Sequence, residues 1–308
     1  MSGLVSVIMP VYNGAKFIEQ SVKSVINQSF DKWELIIIND GSNDNTEDII
    51  KKFKDRRIKY IKLNFNTGQP AIPRNIGIEC SSSKYIAFID SDDLWFETKL
   101  EEQINKLEAN PDFEICYSDY DIIDENDNFI KAYKTKHPDG FLFAKMLEWY
   151  ECGTLTVVIN REILQKLKKP YFRTNLKYSQ DHNFFMHIFA NAKGCSIKKV
   201  LAKYRSHKNN LTHSTSDLHW ENALYTGIDL KKTYPKLFRK YKLSFKHYFL
   251  WVRMQRGLTR LRKGELEKAL PDIKASIYFG KKYAKLYNAA KISLKEAYSI
   301  LEEDFVLI

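Results

Sequence analysis

Short apolar runs alternate with amphipathic stretches through the first half of the chain, the pattern of successive strands and helices in a mostly parallel sheet. Val5 to Met9, Trp33 to Asn39 and Arg57 to Lys62 read as strands. Between and after them, Ala15 to Asn27, Asn45 to Phe53 and about Ile72 to Cys80 read as helices, the second capped by Asp44 or Asn43. Tyr85 to Ile89 is apolar at every position, which predicts a central strand buried on both faces. A helix from about Phe96 to Glu108 is closed by Asn110-Pro111, and a strand from Glu114 to Tyr117 leads into a polar turn region from Asp119 to Asn128. Short helices dominate from Phe141 to Asn191 around a strand at Thr156 to Ile159, and a further strand lies near Ile197 to Tyr204.

The pattern changes near Ser216. His219 to Tyr234, Phe245 to Lys263, Glu265 to Gly280 and Tyr283 to Glu302 read as four helices in antiparallel pairs. The chain is therefore expected to be α/β, with a mostly parallel, Rossmann-like sheet flanked by helices over residues 1–216 and a basic helical extension over residues 217–308. In the extension, Phe245, Phe249, Trp251 and Leu258 are expected among the buried positions.

Composition narrows the class. A chain with 44% apolar and 28% charged residues is an ordinary globular protein, long enough at 308 residues to bury a sizeable core. Cys80, Cys116, Cys152 and Cys195 form no C-x-x-C pair, so they are expected to be reduced thiols without zinc or redox spacing. Leu4 to Met9 before Pro10 is too short for a signal peptide or a spanning helix, so the protein is expected in the cytoplasm and Asn210-Leu211-Thr212 reads as a chance glycosylation pattern.

The net charge of +11 is concentrated, with nineteen Lys and Arg against five acids between His219 and Lys295. Such a face suits nucleic acid, an anionic membrane or a phosphate-bearing substrate, and charge alone does not choose among them. No recognisable nucleic-acid motif accompanies it, so nucleic acid is not expected as a partner. The extension is either a solvated bundle packed on the first domain or a surface for an anionic membrane, with Trp251 and Tyr248 at the interface. The second reading places the protein peripherally at the inner face of the cytoplasmic membrane.

Ligands of open parallel sheets bind beyond the carboxyl ends of the strands. Three strands here run into polar segments: Pro10-Val11-Tyr12-Asn13-Gly14, Asn39-Asp40-Gly41-Ser42 and Asp90-Ser91-Asp92-Asp93. Aspartates after a strand are also good turn and cap residues, a reading that stays open for Asp93 and for Asp40-Gly41-Ser42. Asp90 and Asp92, one residue apart on an extended turn, offer oxygens to a hard divalent cation, Mg or Mn. No G-x-G-x-x-G or P-loop pattern occurs nearby, so a diphosphate is expected to be held mainly by metal.

Val5 to Asn13, the Asp40-Gly41-Ser42 turn, Pro73-Arg74-Asn75-Ile76-Gly77 and Tyr85 to Asp93 together resemble glycosyltransferase family 2, over approximately residues 4 to 207. The resemblance implies the GT-A fold, a nucleotide-sugar donor, a divalent Mn or Mg ion and inversion at the anomeric carbon. By that resemblance Pro10, Val11 and Tyr12 line the nucleoside pocket, Asp40 accepts a hydrogen bond from the base, and Arg74 sits beside the base and diphosphate. Asp90, with Ser91 beside it, reaches the ribose or metal, and Asp92 is the direct metal ligand. The family's catalytic base falls on Asp181, in Ser179-Gln180-Asp181-His182, although the preceding residue is commonly acidic in the family and is Gln180 here. Gly153-Thr154 resembles the acceptor-side segment, and Tyr204-Arg205-Ser206-His207 the strand-end segment beside the donor phosphates, where a cation steadies the leaving group.

The implied reaction has Asp181 deprotonate an acceptor hydroxyl that attacks from the face opposite the nucleotide. UDP is the expected nucleotide because the family uses it most often. A saccharide or lipid-linked saccharide of a bacterial surface glycan is the expected acceptor. The rival from another class is a noncatalytic nucleotide-binding scaffold acting through the helical extension; a metal pair and a base, for which a scaffold has no use, argue against it.

Overall fold

A computed structural model describes residues 4–208, 210 and 217–276. The helix expected over Tyr283 to Glu302, the end of the one expected over Glu265 to Gly280 and the boundary at Ser216 lie outside the described residues. Contacts divide the chain into two compact units. One runs from the start to Met146 and adds Tyr150–Asn175 and Asn183–Asn210; the other gathers Leu147–Trp149, Leu176–His182 and the chain from Leu211 onward.

In the first unit, β1 (Val5–Val11), β2 (Trp33–Asn39), β3 (Ile58–Lys62) and β4 (Tyr85–Phe88) alternate with helices α1 (Ile18–Ile26), α2 (Thr46–Lys51) and α3 (Ala71–Cys80). The four strands are parallel and lie in the order β3-β2-β1-β4. Every residue of β1, β2 and β4 is buried, as strands covered on both faces require, which is why they read as continuous Val, Ile and Leu runs. Helix α1 buries Ile18, Ser21, Val22 and Val25, the i, i+3, i+4, i+7 stripe that faces a sheet. Helix α3 lies close on β1 because Gly77 has no side chain: a Cβ there would sit 2.5 Å from Ile8 Cγ2.

Beyond β4 the sheet becomes mixed. It adds β5 (Leu94–Trp95), β6 (Phe113–Ile123), β7 (Phe129–Tyr133), β8 (Val158–Asn160) and β9 (Lys193–Arg205), continuing β4-β8-β6-β9-β5 with β7 on β6. Helix α4 (Lys99–Ala109) precedes β6, and α5 (Phe143–Glu148) and α6 (Gln180–Phe189) follow β7 and β8. The expected turn from Asp119 to Asn128 is for its first half a strand. Polar Ser118, Asp119 and Asp121 look unlike a core strand, yet β6 continues to Ile123 by pairing with β9 through irregular register around Asp119. The Asp119 carboxylate is satisfied there, accepting from the backbone N–H of Thr135 at 2.8 Å and its hydroxyl at 2.7 Å. Only Asp124 to Asn128 forms the turn.

In the second unit, α7 (Asp217–Thr233), α8 (Pro235–Lys240), α9 (Lys242–Arg262) and α10 (Leu266–Ser276) are helical. Helix α8 occupies the expected break after Tyr234, with Pro235 at its start where a missing N–H costs nothing. Met254, Leu258 and Leu261 of α9 pack on Ala269 and Ile273 of α10. Buried Asp272 collects Arg253, Arg256 and Arg260 at 3.2, 2.8 and 2.9 Å. Phe245 and Leu258 are buried as expected, whereas Trp251 is exposed and Tyr248, expected at an interface, is buried. The Tyr248 hydroxyl donates to the Ala223 carbonyl at 2.6 Å, so its burial leaves no polar atom unmatched. Among the described residues no helix is long and apolar enough to cross a membrane. Cys116, Cys152 and Cys195 are buried free thiols and Cys80 is exposed.

Candidate active site

The three polar segments expected to converge do leave one edge of the sheet, from the neighbouring strands β2, β1 and β4. The strand order reverses between β1 and β4, the position at whose carboxyl ends open α/β sheets bind ligands. Loops there are tied to one another by side chains. Asn13, at φ 50°, receives a hydrogen bond from the Asn43 N–H on its Oδ1 and donates its own N–H to Ser42 Oγ at 2.9 Å. Gly41 turns at φ 71° with a backbone so close to Phe65 that a Cβ would stand 2.5 Å from its carbonyl carbon.

Pro10 and Val11 end β1 as buried residues, while Tyr12 beyond them is 45% exposed. Asp40 is buried, and its carboxylate accepts from Thr67 through the backbone N–H at 3.0 Å and the hydroxyl at 2.8 Å. Arg74, on α3 and only 4% exposed, donates to Asp90 Oδ1 at 2.6 Å. This pair neutralises one carboxylate of the acidic segment. Ser91 is tied through its carbonyl, which accepts from Ser21 Oγ at 2.8 Å.

Asp92 has different company. Its Oδ2 stands 2.9 Å from His207 Nε2, beyond the end of β9, and receives Asn210 Nδ2 at 3.2 Å. Its side chain keeps about a quarter of its surface open. Asp93 is fully buried, and burial, followed by the charges of Asp92 and Asp90, pushes its carboxyl far above the ordinary range. The acidic segment is thus graded by environment: Asp90 paired, Asp92 facing an imidazole, Asp93 held as an internal anchor that accepts the Arg205 N–H at 3.0 Å.

The Arg205 side chain is fully buried and each of its nitrogens donates: Nε to the Asp92 carbonyl at 2.9 Å, one terminal nitrogen to Asp127 at 2.6 Å, the other to Gln20 at 2.7 Å. The Phe17 ring covers the guanidinium at 4.6 Å. A cation enclosed in this way holds the acidic segment in place through three of its five N–H groups. His207 instead places its Nε2 against the Asp92 carboxylate.

Gly153 and Thr154 open a short 3-10 turn, Thr154–Thr156, before β8. The Gly153 carbonyl accepts from both the N–H and the hydroxyl of Thr156, and Thr154 is buried. Asp181 lies in the first turn of α6 and belongs, with Leu176–His182, to the second unit. Asn210 and Thr67 were invisible as site residues in the sequence. Each is an ordinary polar loop residue whose partner is 118 or 27 positions away.

Residues 6–190 match the family described as Glycosyl transferase family 2. Among curated relatives, the Escherichia coli UDP-Glc:alpha-D-GlcNAc-diphosphoundecaprenol beta-1,3-glucosyltransferase WfgD is 34% identical over 66% of this chain and 77% of its own. The putative teichuronic acid biosynthesis glycosyltransferase TuaG of Bacillus subtilis is 32% identical over 80% of this chain and 94% of its own. A Rickettsia bellii glycosyltransferase is 37% identical, but this chain spans only 34% of its length. The first unit's sheet is that of solved glycosyltransferases: S. aureus TarS 1–349 with UDP aligns at TM-score 0.69, with 18% identity over 97% of this chain and 90% of TarS 1–349. The Pyrobaculum calidifontis mannosyltransferase PcManGT, solved with GDP-Man and Mn2+, aligns at 0.61 with 16% identity over 99% of this chain and 89% of its own. The α/β sheet with its C-terminal helices is the GT-A fold, and the chain belongs to glycosyltransferase family 2.

Proposed function

We propose that this glycosyltransferase moves a sugar from a nucleoside diphosphate donor, UDP-linked, to a hydroxyl of a bacterial surface glycan or lipid-linked saccharide, with inversion. The observation that carries the reading is the pairing of Asp92 with His207 beside the neutralised Arg74–Asp90 pair at the strand ends. A relative named for a diphosphoundecaprenol acceptor and another named for teichuronic acid biosynthesis support the acceptor class. TarS has been solved with UDP and with UDP-GlcNAc, which supports the nucleotide.

The residues at Asp92 fit a divalent cation. A carboxylate oxygen and an imidazole nitrogen 2.9 Å apart are donors of the right chemistry, and both side chains keep some exposure. Among the described residues no three or more His, Cys, Asp or Glu are placed to hold a metal ion together, so a Mn or Mg ion would take its remaining ligands from substrate phosphate and water. When bound, that ion neutralises charge on the departing diphosphate.

The chain's own residues do the remaining work. Tyr12, with Pro10 and Val11 behind it, receives the nucleoside, and Asp40 retains lone pairs for the base beyond those used by Thr67. Arg74 holds Asp90 toward the ribose. Gly153 and Thr154 face the acceptor side. Asp181 takes the proton from the acceptor hydroxyl as that oxygen attacks the anomeric carbon, giving a β-linkage from an α-linked donor.

Release of nucleoside diphosphate from a panel of nucleotide sugars, with Mn or Mg and with lipid-linked acceptor extracts, tests the reading. Turnover of one donor only with metal, abolished in both Asp92→Ala and Asp181→Ala, is the expected result. Turnover undiminished by chelator or by either substitution would falsify it.

A further inference from the structure

The second unit contains a polar cluster that the reaction above does not use. Ser179 stands at φ 55°, a left-handed conformation that costs a residue with a Cβ about 1 kcal/mol or more. Its Oγ lies 3.2 Å from Nδ1 of His219 on α7. The neighbouring Tyr178 is held by the same helix: its ring meets His219 edge-on at 6.4 Å, and its carbonyl accepts Asn222 Nδ2 at 3.1 Å. Gln180 Nε2 closes the turn on the Lys177 carbonyl at 2.8 Å. Asp181 follows directly.

Facing His219 are Tyr178 and Ser179 from the turn, Asp181 and His182 from α6, and the ring of Trp220 beside it at 4.7 Å. Burial pushes the His219 imidazole below its ordinary value, against the pull of the Asp181 carboxylate. Burial drives His182 down to about 4, and its ring stacks on Tyr248 at 5.8 Å. Both imidazoles are therefore neutral near pH 7.

We propose that His219 is a positioning residue for the base of the transfer reaction: its bond to Ser179 holds the left-handed turn that sets the direction of the Asp181 carboxylate, which makes α7 part of the catalytic apparatus. The inference rests on the assignment of Asp181 as that base. A side chain that fixes a strained turn two residues before the base controls where a proton acceptor points, and a displacement of about 1 Å at such a group costs about 100-fold in rate.

The test measures UDP release from UDP-glucose and UDP-N-acetylglucosamine with Mn, as kcat, donor KM and pH profile. His219→Ala is expected to lower kcat by about 10- to 100-fold with donor KM changed less than about twofold, the split of a lost transition-state interaction. The acid limb of kcat moves to higher pH, because the carboxylate loses a neighbour able to carry positive charge as pH falls. His219→Asn, which keeps a polar group opposite Ser179, recovers part of kcat. Adding Ser179→Gly to His219→Ala recovers part as well, since glycine adopts the left-handed turn unaided. If His219→Ala does not fold, Ser179→Ala removes the other half of the bond and carries the same test. Wild-type kcat and pH profile in the folded variant, with Asp181→Ala inactive, overturn the inference alone; turnover that survives Asp181→Ala overturns the base assignment and the inference with it.

Discussion

Arg205 shows how one side chain can hold several segments of a site together. Its guanidinium joins the Asp92 carbonyl, Asp127 and Gln20, three segments that share nothing in sequence, and its N–H anchors Asp93. Removing the buried cation leaves the Asp92 carbonyl and Gln20 without their donor while half-exposed Asp127 returns to water, which costs about 1–3 kcal/mol. Arg205→Ala is therefore expected to lower the free energy of unfolding by that amount, and Arg205→Lys to recover little, because an ammonium cannot span three acceptors in a plane. Chemical denaturation of the purified variants reads both. A loss below about 1 kcal/mol in Arg205→Ala would mean that the three segments are held by something else.

At the scale of elements, the placement of the site depends on how closely α3 can approach β1, since α3 carries Arg74 and β1 leads into Tyr12. Gly77 permits that approach. Gly77→Ala gains helix propensity of about 1 kcal/mol but drives its new methyl into Ile8, a clash of about 1–3 kcal/mol in a packed interior. Net destabilisation is expected, and a double-mutant cycle isolates its cause: Ile8→Ala should cost less in the Gly77→Ala background than alone. Additive effects, measured by thermal unfolding of the four proteins, would show that helix and strand separate without contact strain. The same scale explains β6. A run of Ser, Asp and Tyr reads as loop until β7 and β9 pair with it and Thr135 satisfies Asp119.

For the molecule as a whole, two quantities follow from charge. Lys99 is fully buried at the start of α4, with Nζ 4.1 Å from the Trp95 ring centre and bonded to Gln103 Oε1 at 2.6 Å, and burial pushes its pKa down to about 7. Unfolding between about pH 7 and the ordinary lysine value then takes up a proton that the folded state lacks, so this group makes stability rise with pH across that window. Its cost is fully present below about pH 7. Denaturation of Lys99→Met across the window should show that rise abolished, with the variant's advantage over wild type largest at the acid end. The second quantity is surface charge. Exposed Leu218, Tyr225, Ile228, Leu243 and Trp251 share helices α7 and α9 with many lysines and arginines, a composition suited to an anionic bilayer surface. Cosedimentation with phosphatidylglycerol vesicles at low salt, absent with phosphatidylcholine and reversed by added salt, is the expected behaviour; equal binding to both would leave the basic helices without that role.

The sequence by itself determined the elements whose signals are local. Strands β1, β2 and β4 announce themselves because burial on both faces demands uninterrupted apolar residues, and Asp90-Ser91-Asp92 announces itself because the chain must turn polar where such a strand leaves the core. The family and its fold were legible for the same reason: the motifs are short and sit at strand ends. Only the tertiary structure decided what each residue touches. Asp92 meets His207 and Asn210 from more than a hundred positions away, Arg205 is enclosed against Gln20 and the Asp92 carbonyl, and Ser179 reaches His219 across forty positions. Such pairings follow from which segments the sheet and helices bring side by side, and the pattern along one segment carries no record of its neighbours in space.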